Sequence, residues 1–163
     1  MKIAAIIAAG GKGMRLRNRG ATAKPKQFWP LGSTTILERV VETLHATVSV
    51  KELIIVVPHQ YCAYCRNVVV PKKKYPKIRK VIAGGPERAD SVLRGLSCVM
   101  PSATHVLIQD GVRPFLTVRL IERLIRESKK CDGSIVARPV NPTLKKECKR
   151  RIIRTVDRAG LWE

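Results

Sequence analysis

Residues Ile3 to Ala8 form an uninterrupted apolar run that breaks into glycines at Gly10, Gly11 and Gly13. A run with no polar alternation fits a strand buried on both faces, which is the condition of a parallel sheet. The same change of pattern recurs downstream. Leu53–Val57 predicts a second buried strand, closed by Pro58, and Ile78–Ile82 a weaker third before Gly84 and Gly85. His105–Gln109 predicts a fourth strand with Asp110-Gly111 at its end, and Ser134–Ala137 a last one. Helical patterns lie between them. Thr35-x-x-Glu38 is a capping box, with Ile36, Leu37, Val40, Val41 and Leu44 as an apolar stripe behind it. A second helix is expected from near Asp90-Ser91 to about Met100, and a third from Thr117, with Val118, Ile121, Leu124 and Ile125 on one face. This alternation predicts an α/β fold: an open, mostly parallel sheet with helices on both faces. No internal repeat or low-complexity linker interrupts it, so residues 1–163 read as one domain.

Composition narrows the class. Lys and Arg number 32 against 12 Asp and Glu, a formal charge of +20, yet 45% of residues are hydrophobic, too many for a disordered basic tail. The run from Ile3 to Ala9 is far too short to span a membrane. Met1-Lys2 leads straight into it, without the h-region and cleavage site of a signal peptide. Five cysteines, an odd number, point to reduced thiols and a cytoplasmic setting. The charge calls for an anionic partner: nucleic acid, an anionic membrane or a phosphorylated small molecule.

Ligands of such sheets bind beyond the C-terminal ends of the strands, where three polar loops fall. The first, Ala8-Ala9-Gly10-Gly11-Lys12-Gly13-Met14-Arg15-Leu16, lets backbone amides approach an anion closely, with Arg15 and Lys26 as cations for phosphate oxygens. It lacks the G-K-[ST] ending of a Walker A loop and the third glycine of the dinucleotide fingerprint. The second, Gly84 to Ser91, would present amides and the Ser91 hydroxyl at a helix N-terminus, or is simply a Gly-Gly turn entering a helix cap. The third, Asp110-Gly111-Val112-Arg113-Pro114, offers Asp110 as a hard oxygen ligand for Mg²⁺, or is a turn-forming Asp-Gly pair.

Taken in order, these loops carry a resemblance. The first loop is similar to the N-terminal signature of the nucleotidyltransferases that act on sugar and polyol phosphates. Pro25-Lys26-Gln27, the Gly85-to-Val92 stretch, Asp110-x-x-Arg113-Pro114 and Thr155-Val156-Asp157-Arg158-x-Gly160-Leu161-Trp162 narrow it. Together they resemble the 2-C-methyl-D-erythritol 4-phosphate cytidylyltransferase family of non-mevalonate isoprenoid biosynthesis. The resemblance implies a Rossmann-like nucleotidyltransferase fold, a cytidylyl transfer from CTP to a polyol phosphate, and Mg²⁺ as cofactor. It implies Arg15 and Lys26 as catalytic cations, and Ala9, Gly10, Gly11, Gly85, Ser91, Asp110 and Gly111 around the nucleotide, with Asp110 also at the metal. It implies Arg113, Thr143 and Arg158 at the polyol phosphate, and an extended arm over residues 139–160 that pairs two subunits into a homodimer.

The sequence also departs from the family. Pro86 replaces an acidic residue, Gly111-Val112 replaces Ala-Ala, and Pro142 stands where an aspartate is common. The family continues beyond Glu163 with a Thr-Pro-Gln segment, further helices and a late lysine and aspartate of the active site, so the chain reads as C-terminally truncated. A ribitol 5-phosphate cytidylyltransferase shares the same loops. From other classes, an inactive fragment and a basic nucleic-acid-binding protein compete. Against nucleic acid stand the few aromatics and the lack of any RNA-recognition or helix-turn-helix signature. Cys62-Ala63-Tyr64-Cys65 has half the spacing of a zinc site, with no second pair to complete four ligands. Lys72-Lys73-Lys74 and the cluster from Lys145 to Arg151 read as solvated loops, or as an RNA-binding surface.

Overall fold

The first apolar run is the centre of the sheet. In a computed structural model, which describes residues 1–11 and 24–163, Ile3–Ala8 forms β1. The chain divides into two units, Met1–Arg123 and Leu124–Glu163. In the first, a small antiparallel pair, β2 (Pro30–Leu31) and β3 (Thr34–Thr35), leads into helix α1 (Ile36–Ala46). After it come β4 (Val50–Val57), a short helical segment around Cys62–Tyr64, β5 (Ile78–Ala83), α2 (Arg88–Leu96), β6 (His105–Asp110) and α3 (Val118–Glu127), whose last four residues are counted in the second unit.

The main sheet has the order β5-β4-β1-β6 and is parallel throughout. The chain steps outward from β1 to β4 and β5, then returns across the sheet to β6. Right-handed crossovers running in opposite directions place α1 and α2 on opposite faces, and the order reverses beside β1, where such sheets open a crevice. Burial tracks the apolar runs. Ala4 through Ile7 and Leu53 through Val57 are fully buried, as a doubly covered parallel sheet demands.

Helix α1 starts where the capping residue predicts: the Thr35 hydroxyl accepts from the Glu38 amide at 3.1 Å. The reciprocal half of the box is replaced, because the Glu38 carboxylate accepts from Lys74 Nζ at 2.9 Å and the Tyr75 hydroxyl at 3.0 Å. At the far end Lys77 Nζ donates to the carbonyls of His45 and Thr47, both at 2.7 Å, countering the negative end of the helix. Helix α2 begins at Arg88, earlier than expected, and stops at Leu96 rather than near Met100. The Met100 amide is committed to the buried Glu52 carboxylate at 2.8 Å, and Pro101 disfavours helical backbone before it. Helix α3 opens as expected behind Thr117, whose hydroxyl accepts from the Leu120 amide at 3.2 Å.

One expected strand is not formed. Residues 134–137 pair with no described strand, and Ile135 and Val136 are 83% and 55% exposed. A short apolar run becomes a strand only when a ladder and a covering layer receive it, and here neither does.

In the second unit, residues 138–163 run as a long antiparallel ribbon. The Arg138 amide donates to the Glu163 carbonyl and the Glu163 amide to the Arg138 carbonyl, each at 2.9 Å, and Pro139 bridges to Trp162. The ribbon continues through β7 (Lys145–Cys148) and β8 (Arg151–Thr155), joined by the two-residue turn Lys149-Arg150. Among the described residues, no helix is long and apolar enough to cross a membrane.

Gly95 sets the distance between α2 and the sheet, since a Cβ there would lie 2.6 Å from Cγ2 of the fully buried Ile6. Alanine gains about 1 kcal/mol of helix propensity over glycine, but overpacking costs about 1–3 kcal/mol. We therefore expect Gly95→Ala to lower the Tm by several degrees. A Tm equal to or above the parent's would show that Ile6 yields.

Candidate functional site

The register brings three loops to one edge. Ala8 ends β1 level with Val56 of β4 on one side and Asp110 of β6 on the other. Backbone bonds then continue past the strand ends: Ala9 N to Val56 O and Gly84 N to Val57 O at 2.8 Å, and Gly111 N to Ala8 O at 2.9 Å. The three segments chosen from sequence thus lie against one another. Contact is close enough that side chains would not fit: a Cβ on Gly111 would fall 2.6 Å from that of Ala9, and one on Gly10 would fall 2.9 Å from the Ser91 hydroxyl. Gly11, by contrast, faces open space.

Two buried polar side chains hold this arrangement. Gln27, in a 3-10 turn behind Pro25, donates through Nε2 to the carbonyls of Ala9 at 2.6 Å and Gly11 at 3.2 Å. It therefore docks the turn that carries the exposed Lys26 against the glycine segment. Phe28 anchors the same turn from below, its ring 5.1 Å from that of Tyr61 and 5.5 Å from that of Tyr64. The sequence places the Ser91 hydroxyl before a ligand at the start of a helix. It is instead buried within the first turn of α2, where Oγ accepts from the Gly85 amide and donates to the Glu87 carbonyl, both at 3.2 Å. Its role is to fix the loop from Gly84 to Glu87, and the Glu87 amide is capped separately by Asp90 Oδ2 at 3.0 Å.

The third loop is an ion-pair cluster. Asp110 Oδ1 accepts from Arg88 Nε and Nη2 at 3.0 and 2.9 Å, while Oδ2 lies 3.0 Å from Arg113 Nε. Both carboxylate oxygens are already engaged by guanidinium, so this arrangement offers a cation no open carboxylate at Asp110. Among the described residues, no three His, Cys, Asp or Glu side chains gather as a metal site. The donor set therefore does not fit a protein-held Mg²⁺, an ion that takes carboxylates or waters in octahedral geometry. The cluster keeps one net positive charge at the strand ends, from two arginines and one aspartate.

Arg15 lies outside the described residues. Thr143 and Arg158 belong to the second unit. There Thr143 is exposed, and Arg158 Nη1 donates to the Asn141 carbonyl, two residues before Thr143. Sequence reasoning assigns no role to Gln27, Arg88 or Ser91's loop-fixing bonds, although all three residues lie inside the segments that carry the resemblance. Burial shifts the Cys62 and Cys65 thiols upward, Cys65 to about 12.

The family model for 2-C-methyl-D-erythritol 4-phosphate cytidylyltransferase matches residues 3–163. A cytidylyltransferase of that name from Syntrophus aciditrophicus is 34% identical over 162 residues, covering 99% of this chain and 68% of that protein. One from Escherichia fergusonii is 38% identical over 163 residues, covering 98% of this chain and 65% of its own length. A crystal structure of a 4-diphosphocytidyl-2C-methyl-D-erythritol synthase superposes with a TM-score of 0.76 at 30% identity, over 99% of this chain and 70% of that one. The synthase from Anaerococcus prevotii does so with a TM-score of 0.79 at 26% identity, over 99% and 66%. The chain thus spans about two thirds of the length of these relatives.

The packing at the glycines is testable directly. Gly10→Ala must displace the Ser91 hydroxyl and break its bonds, which we expect to cost about 1–3 kcal/mol in thermal or denaturant melts. Gly11→Ala should leave the Tm at the parent value, and equal losses in the two variants would refute this distinction.

Proposed function

The chain belongs to the 2-C-methyl-D-erythritol 4-phosphate cytidylyltransferase family, and on that premise we propose that it converts CTP and 2-C-methyl-D-erythritol 4-phosphate into 4-diphosphocytidyl-2-C-methyl-D-erythritol and pyrophosphate. The observation that carries the reading is the junction of three strand-end loops beside β1, built from the segments that match the family along the whole chain.

In this reaction a phosphate oxygen of the polyol phosphate attacks the α-phosphorus of CTP in line. A new P–O bond forms as the bond to the β-phosphate breaks, and pyrophosphate leaves with the electron pair. The protein has little covalent work; it must align two anions and neutralise the charge of the transition state. The Ala9 amide is spent on Val56, so the amides at Gly10 and Gly11 are those a phosphate would meet. Lys26 supplies a mobile cation on a docked turn, and the family resemblance assigns Arg15, outside the described residues, as a second. In the first unit Arg113 is the candidate for the polyol phosphate, with Arg88 holding Asp110 so that the cluster stays net positive. Any Mg²⁺ would be held by the triphosphate of CTP, since both Asp110 oxygens are engaged by Arg88 and Arg113.

We further place the chain in a homodimer through the arm at residues 139–160 and in the cytoplasm. Ile152, Ile153 and Trp162 are more than half exposed on a ribbon that buries little of itself, which supports a covering partner, and the five cysteines are free, as in a reducing compartment.

Pyrophosphate release with CTP, Mg²⁺ and methylerythritol phosphate tests the function, with ribitol 5-phosphate and the other nucleoside triphosphates alongside. Background rates with every pair would reject it, and preference for ribitol 5-phosphate would reassign the substrate. In an active chain, Lys26→Ala should lower turnover by roughly 10²–10³ while CTP binding stays measurable by calorimetry. Unchanged turnover would remove Lys26 from the mechanism.

A further inference from the structure

The most densely charged segment of the chain has no part in the reaction above. Between Lys145 and Arg154, six cations stand against one acid, Glu147, and every residue is exposed. The register sorts them by face. Residues opposite each other in an antiparallel pair share a face, as do residues two apart along a strand. Lys146 lies opposite Arg154 and Cys148 opposite Arg151, and the irregular step at Lys146/Glu147 keeps these two pairs in phase. Lys146, Arg151 and Arg154 therefore project from one side, with no carboxylate among them. Lys145, Glu147 and Ile152 occupy the other side, where Lys145 Nζ donates to the Thr155 hydroxyl at 2.7 Å.

The turn adds two more cations. Lys149 and Arg150 both hold positive φ, 49° and 65°, the conformation of the type I′ hairpin turn that Asn-Gly adopts with least strain. Side chains with a Cβ cost roughly 1–2 kcal/mol each in left-handed backbone. The Glu147 carboxylate accepts from the Arg150 amide and secures the turn from within. The hairpin thus carries two charges at its tip where uncharged residues would be more stable.

We infer that this ribbon is a docking surface for double-stranded nucleic acid, with Lys146, Lys149, Arg150, Arg151 and Arg154 on the phosphate backbone. A two-stranded ribbon is of a size that the major groove of B-form DNA admits. Scarcity of aromatics weighs against stacking on single-stranded bases, but phosphate contacts need none. The opposite face carries Lys145 and Glu147 beside Ile152, too polar to enter a bilayer. Ile152 lies on the side away from Lys146, Arg151 and Arg154, so a subunit covering the Ile152 side of the arm leaves these three cations open.

The test is fluorescence anisotropy of a short labelled DNA duplex with the full chain, titrated between about 50 and 200 mM salt. Five phosphate contacts should give a log–log slope near −4.5, at roughly −0.9 per contact. The informative variant is K149N/R150G, which removes both tip charges while installing the residues the turn prefers. Its Tm should equal or exceed the parent's, while its slope should become shallower by about 2 and its affinity fall roughly tenfold near 100 mM salt. K72A/K73A, which removes the same charge from the first unit, should leave both nearly unchanged. No duplex binding near 100 mM salt, equal loss in the two double variants, or preference for phosphatidylserine vesicles over the duplex would each overturn the inference.

Discussion

Everything at the candidate site depends on one strand having two parallel partners. β1 is hydrogen-bonded along its length to β4 and β6, and the three strands end within one residue of level, at Ala8, Val57 and Asp110. Parallel strands share one direction, so their outgoing loops emerge at one edge of the sheet. The near-level ending then leaves no strand standing far enough proud to separate them. The consequence is steric: loops this close can be accommodated only by residues such as Gly10, Gly84 and Gly111, whose missing Cβ atoms leave room for Ser91 and Ala9. The glycine content of these segments serves packing between loops at least as much as access for a phosphate.

The same distinction between local and distant contacts separates the legible residues from the rest. Ile3–Ala8, the Thr35 cap and the stripe of α1 are legible because each is a local pattern whose consequence is also local. The family segments are legible for the same reason, being short blocks of unusual residues. Gln27 is not: a single amide in a polar stretch carries no periodicity, and its value lies in two carbonyls sixteen and eighteen positions away. Arg88 likewise acts across 22 positions on Asp110. Helix α2 differs from expectation at both ends. Ser91 resembles a cap, whereas its hydroxyl is turned inward to Gly85 and Glu87, and the Met100 amide is taken by Glu52. Residues 134–137 have strand composition, but composition cannot supply a neighbouring ladder.

The cations of this chain fall into physically different groups. Arg88 and Arg113 are held on Asp110, and Lys74 and Lys77 on the carboxylates and carbonyls of α1, so their charge is tied to structure. Lys26 is exposed at its end but stands on a turn fixed by its neighbour. Apart from Lys145, which donates to Thr155, the cations of the β7–β8 hairpin have neither role, and only one acid shares their strands. A formal charge of +20 therefore conceals an uneven distribution. Part of it is neutralised within the first unit, and part is displayed on a ribbon whose backbone bonds hold the charges apart.

The Gln27 amide has an effect on the glycine segment that reaches beyond its two bonds. A peptide group is planar and trans, so its carbonyl and its N–H point in opposite directions. By drawing the Ala9 carbonyl toward the protein, Gln27 turns the N–H of the same peptide, that of Gly10, away from it. The orientation is set when the chain folds, not when an anion arrives, and the reorganisation that a free glycine loop would undergo is avoided. The donor is aimed by a side chain that no ligand would touch, and its direction is in effect a property of the protein's core.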